Sequence, residues 1–128
     1  MTDIISFDII ISLQRSTEWG PTDMRKNWFY ILLSLAAGPR HGLAIMRDVL
    51  ELTGGQVRLW PAALYGSLED LRERGLIEEL SEPEVRPEGE SERKRYYRVT
   101  PAGRRALAEE TDRLAVLVRA ARARVREA

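Results

Sequence analysis

The chain has 128 residues, 44% of them apolar and 31% charged, which suits one soluble globular domain with a modest core. It contains no cysteine, which excludes disulfides, thiolate metal sites and cysteine nucleophiles and fits a reducing cytoplasm. Its 20 basic and 20 acidic side chains cancel, a balance that counts mildly against nucleic-acid binding, yet arginines crowd at Arg93 to Arg98 and along the C-terminal end while acids crowd between Glu78 and Glu92.

Residues 1–23 read as an N-terminal extension. The isoleucine-rich run from Ile4 to Leu13 is about half of the ~20 residues needed to span a bilayer, so no membrane partner is expected. A signal peptide needs a basic n-region and a small-residue cleavage site, and neither is there. Two expectations stand: an apolar strip packed on a neighbour or dimer mate, or a native translation start at Met24.

Thr22 and Asp23 are capping residues ahead of a helix with Trp28, Ile31, Leu32 and Leu35 on one face. Phe29, Leu33 and Ala36 widen that face, so burial of most of the helix is expected. Gly38-Pro39 ends it. A second helix is predicted from Gly42 to Leu52, with Leu43, Met46 and Leu50 on one stripe and Ile45 and Val49 beside it, stopped by Thr53-Gly54-Gly55. Gln56 to Leu59 could form a small strand.

The third helix opens at Pro61, whose missing N–H has no intrahelical partner at a first position anyway. Leu64, Leu68 and Leu71 then repeat on one apolar face, and Gly75 permits a left-handed exit. The opposite face is small or polar: Ala62, Ala63, Gly66, Ser67 and Asp70. Short strands follow at Leu76–Leu80 and Tyr96–Thr100, joined by a long polar loop, SEPEVRPEGESERKR, that cannot bury much.

Thr100-Pro101 restarts a helix that continues to about Arg126. Its seam, Leu107, Thr111, Leu114, Val118, Ala121 and Val125, is spaced 4, 3, 4, 3, 4 in heptad fashion. A helix of about 25 residues is roughly 38 Å long, more than a small three-helix core covers. A dimer contact is therefore expected along the seam, with packing on the chain's own core as the alternative. The expected fold is mainly α with a small β-hairpin: an extension at 1–23, a winged helix-turn-helix at 24–100 and a C-terminal dimerisation helix at 101–128.

Several short motifs support this order. Tyr30-Ile31-Leu32-Leu33, His41-Gly42, Leu64-Tyr65 with Leu68 and Leu71, Arg74-Gly75-Leu76-Ile77, and Arg95-Tyr96-Tyr97 with Thr100-Pro101-Ala102-Gly103 together resemble the PadR family of bacterial transcriptional regulators, in its compact branch. The resemblance spans residues 25 to about 120. It implies a homodimeric repressor with the third helix in a major groove of operator DNA, the wing near a minor groove, and C-terminal helices crossing between subunits.

The candidate DNA-binding residues are Ala62, Ala63, Tyr65, Gly66 and Ser67 on the third helix, Arg58 and Arg72 beside it, and Arg93, Lys94 and Arg95 at the return of the wing. Alanine can meet a thymine methyl and serine either base class, but neither gives a bidentate readout. Where family members often carry serine or threonine, this chain has Trp60, Ala62 and Ala63. Gly66 costs about 1 kcal/mol in a helix interior, which suggests close approach to a DNA backbone. Tyr65 offers its hydroxyl to a phosphate or is a packing residue. Arg74 is solvated or paired with Asp70. Glu82, Glu84, Glu88, Glu90 and Glu92 could mask the basic wing, in which case changing all of them to glutamine tightens DNA binding.

His41 is the only histidine and, without a partner ligand or a triad, reads as the residue that begins the second helix. No Gly-rich phosphate loop is present, no cofactor is implied and an enzyme is not expected. Compact PadR-like repressors can bind planar apolar molecules with aromatics on the C-terminal helix, but residues 101–126 carry none. Trp28 and Phe29 are the remaining candidates to line a pocket for a small apolar effector, with core packing as the alternative. Two other functions compete with a DNA-binding repressor: a winged-helix protein-interaction module, and a MarR-like ligand-sensing regulator.

Overall fold

The computed structural model describes residues 24–80 and 95–127. The expectations for residues 1–23, for the acidic loop and for Arg93 and Lys94 lie outside the described residues. The elements run α1 (Lys26–Ala36), β1 (Arg40–His41), α2 (Gly42–Leu52), α3 (Pro61–Glu73), β2 (Ile77–Leu80), β3 (Tyr96–Val99) and α4 (Pro101–Glu127). The strands form one antiparallel sheet in the order β1-β3-β2, with Ile77 opposite Val99 and Leu80 opposite Tyr96.

α1 buries Trp28, Ile31, Leu32 and Leu35, as their spacing predicts, and Ser34 joins them. Leu33, expected to widen this face, is instead 39% exposed, while Phe29 and Ala36 are half-buried. The first described helical residue is Lys26, so Thr22 and Asp23 do not serve as its N-cap; that position falls to Arg25, whose side chain makes no capping bond.

α2 begins as expected at Gly42, and the His41 side chain caps it, Nδ1 accepting from the Ala44 N–H at 3.2 Å. Its buried residues are Gly42, Ile45 and Val49, so the inward stripe is rotated from the one expected: Leu43 is exposed, and Met46 and Leu50 are half-buried. Thr53 closes the helix, its hydroxyl donating to the Val49 carbonyl at 2.8 Å and accepting from the Val57 N–H at 3.0 Å. No strand forms over Gln56–Leu59. The free edge of β3 is taken instead by the two-residue β1, which pairs Arg40 with Tyr97 and His41 with Tyr96. Leu59 anchors the extended segment in the core, with Val57 packed against it.

α3 closes the helical triangle. Leu64, Leu68 and Leu71 are buried against α1 and α2, each burial being worth about 1.5–3 kcal/mol. Gly75 leaves the helix with φ 74, in the left-handed region that favours glycine, and the chain enters β2 directly.

Thr100 then ties three elements together. Its hydroxyl donates to the Gly75 carbonyl at 2.6 Å and accepts from the Gly103 N–H at 3.1 Å, which caps α4. Gly103 lies so close to the backbone just ahead of β2 that a Cβ there would stand 2.0 Å from the Leu76 carbonyl oxygen. From this contact α4 buries Gly103, Ala106 and Glu110, and Glu110 accepts two bonds from Arg113, at 2.9 and 2.6 Å. The first turns of α4 thus belong to the same core as α1, α2, α3 and the sheet. Of the heptad seam, Leu107 and Leu114 are half-buried, whereas Thr111, Val118, Ala121 and Val125 are exposed.

Candidate nucleic-acid interface

The inward leucines of α3 lock its rotation, so its outer face is fixed by helical geometry alone. Ala62, Ala63, Tyr65 and Gly66 are exposed and Ser67 is half-buried. Around Gly66 a Cβ would meet nothing within 4 Å. The face is shallow and open.

Tyr65 sits at the edge of that face, half exposed, and its ring leans on the first turn of α2. A Cβ at Gly42 would come within 2.6 Å of the Tyr65 hydroxyl oxygen, so the glycine lets the two helices meet there. Ahead of α3, Trp60 is 65% exposed and the Arg58 guanidinium lies 5.5 Å from its ring centre. Both side chains stand beside the open face.

Four cations near this face, Arg72, Arg74, Arg95 and Arg98, lie against carboxylates or rings. Arg72 forms a two-point pair with Glu69, one contact being Nε to Oε2 at 3.1 Å, and both side chains are about half exposed. The hydrogen bond from Arg72 holds the Glu69 carboxyl below the usual carboxylate range, and the same bond raises Arg72. On the hairpin, Arg98 bonds Glu78 at 2.9 Å and Arg95 lies 3.9 Å from Glu79. Burial pushes the Tyr97 hydroxyl up. The Arg74 guanidinium stands 4.8 Å from the Trp28 ring centre, with Arg25 at 5.2 Å.

A polar cleft of about 450 Å³ opens between α3 and the hairpin, lined by Glu69, Arg72, Glu79, Arg95 and Tyr97 among others. Arg72 and Arg95, named separately from the sequence, therefore meet at one cleft. Glu69 also belongs to this surface and was not among the expected residues. It could have been found by extending the Ala62–Gly66 stripe by one further helical step of three.

The effector expectation divides. Trp28 is 2% exposed and packs in the core rather than lining a groove. Phe29 instead separates two grooves between α1 and α4, one of about 480 Å³ with Leu114, Val118 and Arg122, the other of about 360 Å³ with Tyr30, Glu110 and Arg113. Among the described residues, no helix is long and apolar enough to cross a membrane.

Three helices, a hairpin directly behind the third, and a small-faced third helix define a winged helix-turn-helix. Residues 31–109 match the profile of the PadR-like family of transcriptional regulators. The chain belongs to the PadR-like family. That family is one of transcriptional regulators, not of enzymes.

Known structures agree with the fold. A transcriptional regulator from Clostridium thermocellum is similar over 75% of this chain and 86% of its own, with a TM-score of 0.63 and 22% identity. RosR from H. salinarum is similar over 81% of this chain and 98% of its own, with a TM-score of 0.55 and 26% identity. Bacillus subtilis PadR, solved in complex with operator DNA, covers 67% of this chain and 46% of its own at a TM-score of 0.56 and 24% identity. By sequence, an uncharacterized 37.1 kDa protein in transposon TN4556 of Streptomyces fradiae is 39% identical over 87 residues, 68% of this chain. The match covers 22% of that relative, so this chain corresponds to about a fifth of its length.

Proposed function

We propose that this PadR-like protein is a homodimeric repressor that binds a near-palindromic double-stranded operator, with α3 in the major groove and the hairpin of residues 76–100 near the minor groove. The observation that carries this reading is the outer face of α3. Ala62, Ala63 and Gly66 expose backbone with almost no side-chain bulk on a helix held rigidly from behind, a shape suited to close approach in a groove. The solved complex of B. subtilis PadR with operator DNA supports the same partner.

The charges set how binding works. Arg72, Arg95 and Arg98 each face a carboxylate of this chain. Any of them that reaches a phosphate exchanges one anion for another, and Arg58 beside Trp60 adds a cation at the N-terminal end of α3. Arg93 and Lys94, at the wing's return, extend the same role. Affinity resting on such contacts falls steeply with salt.

The exposed stripe of α4 supports dimerisation through Val118, Ala121 and Val125, together with Leu107, Thr111 and Leu114. Arg119, Arg122, Arg124 and Arg126 crowd the last turns. Two copies of α4 that cross antiparallel keep these like charges apart, whereas a parallel pair stacks them. The groove beside Phe29 is then where a small apolar effector enters, between α1 and α4. Sedimentation tests the interface: Val118→Asp with Val125→Asp yields a folded monomer, and a persisting dimer rejects this seam.

DNA binding is tested by a mobility shift on random-sequence DNA from low to high salt. A shift that weakens steeply with salt, followed by selection of a two-half-site sequence, is expected. Absence of binding at low salt rejects the reading and favours a module that recognises another protein.

A further inference from the structure

Resting on that DNA-binding reading, we propose that Glu69 is a specificity-determining residue. Its carboxylate, oriented by Arg72, accepts a hydrogen bond from the N4 amino group of a cytosine in each half-site.

The argument starts from helical geometry. With Leu64, Leu68 and Leu71 turned inward, the residues on the opposite side of α3 are Ala62, Gly66, Glu69 and Glu73, at steps of four, three and four. All of these are exposed. Ala62 and Gly66 have no side-chain donor or acceptor, so this half of the face can fit a groove without distinguishing bases by hydrogen bonds. Glu69 is the first residue along it that can. Glu73 lies in the final turn, farther from the N-terminal part of the helix that approaches base edges.

The chemistry of the carboxylate narrows its target. An ionised carboxylate only accepts hydrogen bonds. Phosphates offer it none and repel it, so a carboxylate at this position is unfavourable on DNA unless it reaches a base. In the major groove the pairing that suits Glu or Asp is with cytosine N4.

Arg72 makes such an approach feasible. Its two-point pair with Glu69 spans one helical turn, restrains the carboxylate and offsets its charge. A carboxylate has about four acceptor sites and Arg72 occupies two, while the Glu69 side chain remains 53% exposed. Acceptor capacity is left facing outward. Arg72 is thus a positioning residue for Glu69.

The test is selection of bound sequences from random DNA with the full-length protein and its Glu69→Ala, Glu69→Gln and Arg72→Ala variants, all at one salt concentration. Circular dichroism and a thermal melt confirm that each variant is folded, as exposed positions allow. The wild type is expected to select a cytosine at one position of each half-site. Glu69→Ala should reduce that preference by roughly tenfold and leave the other positions unchanged. Glu69→Gln should move the same position toward adenine, which glutamine reads through N6 and N7. Arg72→Ala should relax that position too; uniform weakening across all sequences would make Arg72 a phosphate contact and overturn its positioning role. Identical selected sequences for wild type and both Glu69 variants would overturn the proposal, as would a lost preference for any base other than cytosine. If the wild type selects nothing and binds no DNA at low salt, the DNA-binding reading itself has failed.

Discussion

Two helical glycines in this chain have opposite surroundings. Gly103, in the first turn of α4, is pressed on the backbone just ahead of β2 so tightly that a Cβ would stand 2.0 Å from the Leu76 carbonyl oxygen. Gly66, midway along α3, has nothing within 4 Å of the place its Cβ would take. Each lowers helix stability by about 1 kcal/mol relative to alanine. The fold gains a close helix–strand contact from the first. From the second it gains nothing internal, so the smoothness at Gly66 points outward, to whatever α3 meets.

Substitutions can sharpen or break this contrast. The largest effect belongs behind Gly66 rather than at it: Leu68→Ala removes a fully buried side chain and should destabilise by about 2–5 kcal/mol. Urea denaturation reads this as a lower midpoint. Next is Gly103→Ala, where the methyl group meets backbone that cannot rotate away, for an expected loss of roughly 1–3 kcal/mol. A Gly103→Ala protein as stable as wild type would mean that the contact of α4 with Leu76 is looser than described. Thr100→Ala removes the cap of α4 and the bond to Gly75, and should cost about 1 kcal/mol. The smallest change has the opposite sign. Gly66→Ala should raise stability by about 0.5–1 kcal/mol, because the open space accepts the methyl group and alanine is the better helix former. Thermal melts of the two glycine variants side by side would erase the contrast if both moved in the same direction.

What could be read from the sequence follows local rules. α3 is legible from Pro61, three spaced leucines and Gly75, because proline, periodicity and glycine each act within a few residues. α4 is legible from Thr100-Pro101 and its long apolar repeat. The inward face of α2 was read one stripe away because Leu43, Met46 and Leu50 are as apolar as Ile45 and Val49. Only packing against α1 and α3 decides between them. β1 has two residues and no periodicity, while Gln56–Leu59 looks like a strand but pairs with none of the strands of the sheet. On the proposed interface, Ala62, Ala63 and Gly66 stand out in the sequence by their smallness. Glu69 was hidden among many surface acids until its pairing with Arg72 and its line with Gly66 were seen together. For Trp28 the sequence leaves pocket and core both open, because a large aromatic reads the same way in a core and in a cavity wall; it packs in the core.

The central claim is that the outer face of α3 is shaped for a groove of DNA, and Gly66→Leu tests it most directly. Leucine is a good helix former and has open space to occupy, so the variant should fold with wild-type stability or better. Its affinity for a selected operator, measured by titration beside wild type at one salt concentration, should fall by at least roughly tenfold, since a misplaced side chain of this size separates helix from groove and a single lost base contact is already worth about 1–3 kcal/mol. A stably folded Gly66→Leu protein that binds the operator as tightly as wild type would contradict the account.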